Sequence, residues 1–237
     1  MPMNAPLLVL WDIDHTLIEV GGATQHAYAA AFHRAVGRPL LHEWQFNGRT
    51  ELAAAGDVLR FHGEDASPAR VDAFISFLVE ELHDRADQMR RDGRALPGAE
   101  DALRACRAVP GIHQSVLTGN LYSLAVLKVN VFGLAEHLDL RIGAFGGDAV
   151  DRTELPAHAW DRAERELGHR FRGEDTVVIG DTLLDVATGK AVGAHVVAVA
   201  TGRVGGPALR AAGADVVLPD LTDTGAVVDA IVTQRAK

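Results

Sequence analysis

The stretch Leu7-Leu8-Val9-Leu10-Trp11-Asp12-Ile13-Asp14-His15-Thr16-Leu17 constrains this chain more than any other. Its apolar run shows no polar alternation, which predicts a strand over Leu7 to Asp12 covered on both faces of a sheet. The strand delivers two carboxylates, one residue apart, to its C-terminal edge. Burying an unpaired charge is costly. A cation is the simplest partner, and oxygen ligands of this kind suit Mg²⁺. Asp and Thr are also ordinary turn residues, so the rest of the chain must decide between a site and a turn.

After Gly21-Gly22 the pattern becomes helical and stays so. Thr24 is expected to cap a helix that ends near Val36, stopped by Gly37 and Pro39. Thr50 caps a second, carrying Leu52, Val58 and Leu59. Ser67-Pro68 opens a third, with proline at the first helical position and an apolar stripe of Val71, Phe74, Ile75, Leu78, Val79 and Leu82. No strand is expected between Val20 and Arg91.

From Leu96 helices and strands alternate. Helices are expected at Pro97 to Arg107, Leu121 to Phe132, Pro156 to Leu167, Leu183 to Val192, Pro207 to Ala212 and Thr222 to Val232. Strands are expected at Ile112 to Leu117, Leu138 to Ile142, Thr176 to Ile179, His195 to Ala200 and Val216 to Leu218. Such alternation implies parallel βαβ units with right-handed crossovers. The fold class is therefore α/β: a Rossmann-like parallel-sheet core from residues 1–19 and 92–237, with an all-helical cap of residues 20–91 inserted after the first strand.

The 237 residues carry a net charge of −9, and no dense Lys/Arg run offsets it, which argues against nucleic acid as a partner. The single Cys106 rules out an internal disulfide and a multi-cysteine zinc site, and fits a reducing, cytoplasmic setting. Met1 to Pro6 has no basic start, and the apolar run after it is too short for a leader or a membrane span. Nothing in the sequence fixes the oligomeric state.

Ligands of open α/β sheets bind beyond the carboxyl ends of the strands. The segments expected there are Asp12-Ile13-Asp14-His15-Thr16, Thr118-Gly119-Asn120, the loop Gly146 to Arg152, and Gly180-Asp181-Thr182-Leu183-Leu184-Asp185. Any one is common turn chemistry; all four on one edge point to a site. The ordered set resembles the haloacid dehalogenase superfamily, in the branch with a helical cap after the first strand. Asp12, Asp14 and Thr16 match its Asp-x-Asp-x-Thr motif, Thr118 its second-strand Ser/Thr, and Gly180, Asp181 and Asp185 its Gly-Asp-x-x-x-Asp motif. The resemblance covers nearly the whole chain.

The resemblance implies a Mg²⁺-dependent phosphatase of a small phosphorylated metabolite. Asp12 would be the nucleophile, forming an aspartyl-phosphate, and a carboxylate is already ionised for that task at neutral pH. Asp14 would be the acid/base, a role that wants a raised pKa. Mg²⁺ would be held by Asp12, the backbone carbonyl of Asp14 and Asp181, with Asp185 a ligand or its supporting partner. Thr118, Gly119 and Asn120 would grip phosphoryl oxygens at a helix N-terminus, and Thr16 completes the motif on the substrate side.

The chain departs from the family pattern in two places. The usual Lys of the third motif is missing from Asp151-Arg152-Thr153-Glu154-Leu155-Pro156. Arg152 is the favoured substitute. Lys128 is the competitor, though it lies roughly 10 Å along a helix from Thr118, which is far for a side chain. Position 15, often Gly in relatives, is His15, expected to point a polar tip at the chamber or solvent. The other histidines are expected on solvated surface. Asn47-Gly48-Arg49-Thr50 is a candidate specificity loop in which Arg49 meets the substrate beyond its phosphate. Gly202 to Gly206 is expected to be a turn, and Trp11, Trp44 and Trp160 form no stacking platform. Competing functions are a phosphomutase of the β-phosphoglucomutase type, a dehalogenase, a metal-dependent glycosyltransferase and a non-catalytic binding protein.

Overall fold

The structure is a computed structural model and describes residues 6–41 and 48–233. The chain runs β1 (Leu7–Trp11), β2 (Ile18–Glu19), α1 (Ala23–Val36), α2 (Glu51–Phe61), α3 (Pro68–Asp84), α4 (Ala86–Asp92), β3 (Arg94–Ala95), α5 (Ala99–Ala108), β4 (Ile112–Val116), α6 (Tyr122–Val131), α7 (Leu155–Leu167), β5 (Thr176–Gly180), α8 (Leu183–Ala191), β6 (His195–Val199), α9 (Gly206–Ala211), β7 (Val216–Leu218) and α10 (Thr224–Val232). Five strands form a parallel sheet in the order β4-β1-β5-β6-β7. Every residue of β1 is buried, because helices cover both faces of the sheet. No helix among the described residues is long and apolar enough to cross a membrane.

β1 lies between β4 and β5, so the ends of these three strands bring Asp12, Leu117-Thr118 and Gly180-Asp181 to one edge. β4 keeps a polar centre because Gln114 is a buried junction. It accepts from Trp11 Nε1 at 3.3 Å and donates to the carbonyls of Leu103 and His137, both at 2.8 Å.

Helices α1 to α4 build a second core around Tyr28, Phe32, Phe74, Leu78 and Leu82. The rings of Tyr28 and Phe74 meet edge to face with centroids 5.6 Å apart. This helical block joins the sheet unit through β2 and β3, an antiparallel pair in which Ile18 faces Ala95 and Glu19 faces Arg94.

Several expectations need correction. Leu138 to Ile142 is no strand: Leu140–Ile142 is a 3-10 turn opened by Asp139, whose side chain accepts from Arg141 N. The sheet edge there is met instead by a single bridge from Leu117 to Ala144. Thr24 lies inside α1, whose cap position is taken by Gly22 in the left-handed region. Thr50 does cap α2, accepting from Ala53 N at 3.3 Å. The short β2–β3 pair and helix α4 had no clear sequence signal. His195 is buried on β6 against the Ala230 carbonyl, and His137 is also buried, so neither is solvated surface. Trp44 and Asn47 lie outside the described residues.

Candidate active site

Four segments close around a chamber of about 710 Å³ beyond the end of the sheet. Asp12, Asp14 and His15 line it from the end of β1, Thr118 to Asn120 from β4, Arg152 from the loop before α7, and Asp181 to Leu184 from β5. The helical block supplies the opposite wall, including Thr24, Gly48, Arg49 and Glu51.

Asp12, Asp181 and Asp185 are buried, and each offers one carboxylate oxygen within 4.8 Å of the others. Arg152 sits among them at 4 % exposure. Its Nη2 donates to Asp12 Oδ1 at 2.8 Å, to Asp185 Oδ1 at 2.5 Å and to the Leu117 carbonyl at 3.2 Å. Its Nη1 donates to the carbonyl of Gly48, in the helical block, at 2.6 Å. Three carboxylates share one cation here. Burial and the neighbouring Asp185 and Asp14 charges push Asp12 up to about 7, against the pull of Arg152. Burial and the charges of Asp12 and Asp185 push Asp181 up to about 8. A hard divalent cation fits this donor set: the ligand atoms are oxygens, and negative charge is in excess.

Asp185 is held on both sides. Oδ1 faces Arg152, while Oδ2 accepts from Thr182 N at 2.9 Å and Thr182 Oγ1 at 2.6 Å, closing a capping box at the start of α8. This favours a supporting role, steering Arg152, over direct metal ligation. Gly202 lies over Asp181, where a Cβ would come within 1.7 Å of Asp181 Oδ2, so only glycine allows that loop to pass.

Asp14 is paired differently. Lys128 Nζ lies 2.8 and 2.7 Å from its two oxygens, and Asn120 Nδ2 donates to Oδ2 at 2.7 Å. Lys128 also donates to Asn120 Oδ1 at 2.6 Å, and is 1 % exposed. Lys128, expected as the more distant competitor of Arg152, thus lies at the site beside it. Side chains on a helix lean toward its N-terminus, so Lys128 reaches back along α6 toward the β4 end. Burial raises the Asp14 pKa, but the charge and hydrogen bonds of Lys128, aided by Asn120, outweigh it. The carboxyl sits below its usual range, not above it as expected for the acid/base.

Thr16 is fully buried and donates to Asp181 Oδ1 at 3.3 Å, so it braces an acid and does not face the chamber. Thr118 Oγ1 accepts from Asn120 N at 3.2 Å and Asn120 Nδ2 at 2.8 Å. Asn120 is thus spent on Thr118, Asp14 and Lys128. Arg49 lines the chamber, but its guanidinium pairs with Asp57 at 2.8 Å and is about half exposed. His15 is the one non-glycine residue at positive φ (62°) among the described residues. That region favours glycine and tolerates His better than most residues. His15 N donates to the Ile18 carbonyl at 2.8 Å, and Thr201 Oγ1 donates to the His15 carbonyl at 2.5 Å.

A family model described as haloacid dehalogenase-like hydrolase matches residues 9–190. The chain belongs to the haloacid dehalogenase-like hydrolases. It is 27% identical over 213 residues to a plasmid-encoded phosphoglycolate phosphatase of Cupriavidus necator, covering 90% of this chain and 89% of that protein. Its fold is similar to the solved structure of CbbY from Rhodobacter sphaeroides in complex with phosphate, with a TM-score of 0.72 and 20% identity, over 94% of this chain and 99% of that one. A hydrolase from Pseudomonas syringae gives the same TM-score at 19% identity, over 95% and 99% of the two chains.

In this haloacid dehalogenase-like hydrolase the helical block is closed on the sheet unit. Glu51 N donates to the Gly119 carbonyl at 2.8 Å, and Thr50 Oγ1 donates to the Val150 carbonyl at 2.8 Å. A Cβ on Gly119 would lie 2.1 Å from the Arg49 carbonyl. Sequence reasoning missed Glu51, which is 6 % exposed inside the chamber and bonded through Oε2 to the Tyr28 hydroxyl. Burial pushes it up to about 7, against the opposing pull of Tyr28 and Lys128. In sequence an acid after a helix cap reads only as a favourable dipole contact.

Proposed function

We propose that this hydrolase is a Mg²⁺-dependent phosphatase of a small phosphorylated metabolite, working through an aspartyl-phosphate on Asp12. The observation that carries the reading is the buried Asp12–Asp181–Asp185 group around Arg152 at the mouth of a closed chamber. Arg152 ties Oδ1 of Asp12, which leaves Oδ2 to attack phosphorus. The new bond forms between that oxygen and phosphorus as the bond from phosphorus to the ester oxygen breaks. The Lys128–Asp14 pair is the proton-transfer unit. The departing oxygen takes a proton from the Lys128 ammonium, and the Asp14 carboxylate later takes one from the water that cleaves the aspartyl-phosphate and returns it to Lys128. The Thr118 hydroxyl and the Gly119 backbone N–H hold phosphoryl oxygens.

Asp12, Asp181 and the Asp14 carbonyl are the groups that would hold Mg²⁺. When bound, the ion screens the repulsion between anionic nucleophile and anionic phosphate. The similarity to a phosphoglycolate phosphatase supports phosphate-ester hydrolysis, and the solved complex of CbbY with phosphate supports a phosphate ligand for a chain of this fold. The helical block is the cap that excludes water from the reacting atoms, with Arg152 latching it through Gly48.

The test is phosphate release from a panel of phosphorylated metabolites, with Mg²⁺ and with chelator, for wild type and Asp12→Asn. Metal-dependent release that Asp12→Asn abolishes is expected. Full activity in the variant would remove Asp12 as nucleophile, and equal turnover after exhaustive metal removal would remove the cation.

A further inference from the structure

The glycine-rich segment after β6, from Thr201 to Gly206, reads in sequence as a plain turn, yet Arg203 and Val204 line the chamber. Two contacts fix this loop on the edge that carries the site. Thr201 Oγ1 donates to the His15 carbonyl at 2.5 Å, and His15 presents that carbonyl from a backbone at positive φ. Gly202 passes so close over Asp181 that no side chain fits there. Arg203 is the next residue, so its backbone belongs to the sheet unit beside Asp181 and not to the helical block.

The Lys and Arg side chains on the chamber wall are Arg49, Lys128, Arg152 and Arg203. Lys128 is paired with Asp14, Arg152 with Asp12 and Asp185, and Arg49 with Asp57. Arg203 is exposed and makes no ion pair or hydrogen bond among the described residues. Of these cations it alone has its charge and its fork of N–H donors left for a ligand. Its place in the sheet says which part of the ligand. Thr118 and Gly119, which grip the phosphoryl group, follow β4, while Arg203 follows β6, and the two strands lie on opposite sides of β1 and Asp12. Arg203 is therefore placed for what hangs from the phosphoryl group. We infer that Arg203 is a specificity residue that holds an anionic group on the leaving group of the phosphate ester, either a carboxylate or a second phosphate. The guanidinium fork matches both, with two parallel N–H···O bonds. Elsewhere on the wall Asp12, Asp14, Glu51 and Asp181 would repel a second anion. Arg203 makes and breaks no bond. The inference rests on the phosphatase reading above and adds the charge of the leaving group.

The test measures kcat/KM with Mg²⁺ for two matched pairs of esters and for p-nitrophenyl phosphate as a general ester. Phosphoglycolate is set against ethylene glycol phosphate, and propanediol bisphosphate against propanediol monophosphate. Wild type is expected to favour the anionic member of a pair, and the pair in which it does so tells carboxylate from phosphate. Arg203→Gln is expected to lower that ratio about fivefold, the upper end for an exposed ion pair. Arg203→Lys is expected to keep part of it. Arg203→Glu is expected to reverse the preference, so that ethanolamine phosphate, with its ammonium group, is used better than phosphoglycolate. Position 203 is exposed, so these variants are expected to fold, and a melting curve checks it. Phosphate release with no preference for the anionic member of either pair overturns the role of Arg203 and leaves the phosphatase reading intact. The same ratio in wild type and Arg203→Gln does so too. Release of phosphate from none of the esters overturns both.

Discussion

Lys128 Nζ grips both carboxylate oxygens of Asp14, at 2.8 and 2.7 Å, across 114 residues of chain. The pair makes the resting Asp14 an anion held by a buried cation. Replacing Lys128 with Met removes the charge and the bonds that lower the Asp14 pKa, while burial still raises it. The limb of the pH–rate profile set by Asp14 should move upward by about one unit or more in Lys128→Met. Steady-state kinetics across the pH range check this, and an unmoved limb would mean that Asp14 does not carry the rate-determining proton.

Arg152 is the cation shared by Asp12 and Asp185, so its loss leaves buried carboxylates uncompensated. Arg152→Met should destabilise the metal-free protein by roughly 3–5 kcal/mol. Arg152→Lys keeps the charge but cannot reach two carboxylates and the Gly48 carbonyl together. It should keep most of the stability and raise KM more than it lowers kcat, because the latch on the cap is lost. Denaturant midpoints and kinetics of the two variants separate these effects.

Gly119 allows the cap loop to sit on the end of β4, since a Cβ there would lie 2.1 Å from the Arg49 carbonyl. Gly119→Ala should hold the cap about 1 Å off its seat and lower kcat/KM by as much as about 100-fold. Its melting temperature should change little. Equal kcat/KM in the variant would show that closure on Gly119 is not needed for turnover.

Without a cation, Asp12 and Glu51 are pushed up to about 7 and Asp181 to about 8. Between the ordinary carboxylate range and those values the folded state binds more protons than the unfolded one. Stability should therefore fall as pH rises through that window. Asp14, whose pKa is lowered, contributes with the opposite sign only below its ordinary value of 3.8. In chelator, the denaturant midpoint should be lower at about pH 9 than at about pH 5. Mg²⁺ should raise it more at the higher pH, where no proton has to leave the ligands. A metal-free midpoint that rises over the same interval would contradict the shared-carboxylate description of the site.

Much of this was legible in the chain. The continuous apolar run of β1 carried the parallel sheet, and the strand ends carried Asp12, Asp181 and Thr118, because buried strands and their C-terminal turns have local signatures. The chain did not reveal where long side chains would end. Helix rise alone ranks Lys128 behind Arg152, yet the backward lean of its stem brings it to Asp14. Thr16 and Asp185 were legible as motif positions but not as braces, since their partners, Asp181, Arg152 and Thr182, are fixed only by packing. Glu51 had no signal of a place in the chamber. That place comes from the seating of the helical block on the sheet unit, a tertiary event that neither periodicity nor spacing encodes.

The central claim is that Asp12 carries the phosphoryl group during turnover. The direct measurement is acid quenching during turnover of a good substrate with Mg²⁺, followed by mass spectrometry of the peptide that spans Leu7 to Thr16. One phosphoryl group on Asp12, absent in Asp12→Asn and discharged by further incubation, is the predicted result. Steady turnover with no covalent phosphoryl group on that peptide, or with the group on another residue, would contradict the mechanism.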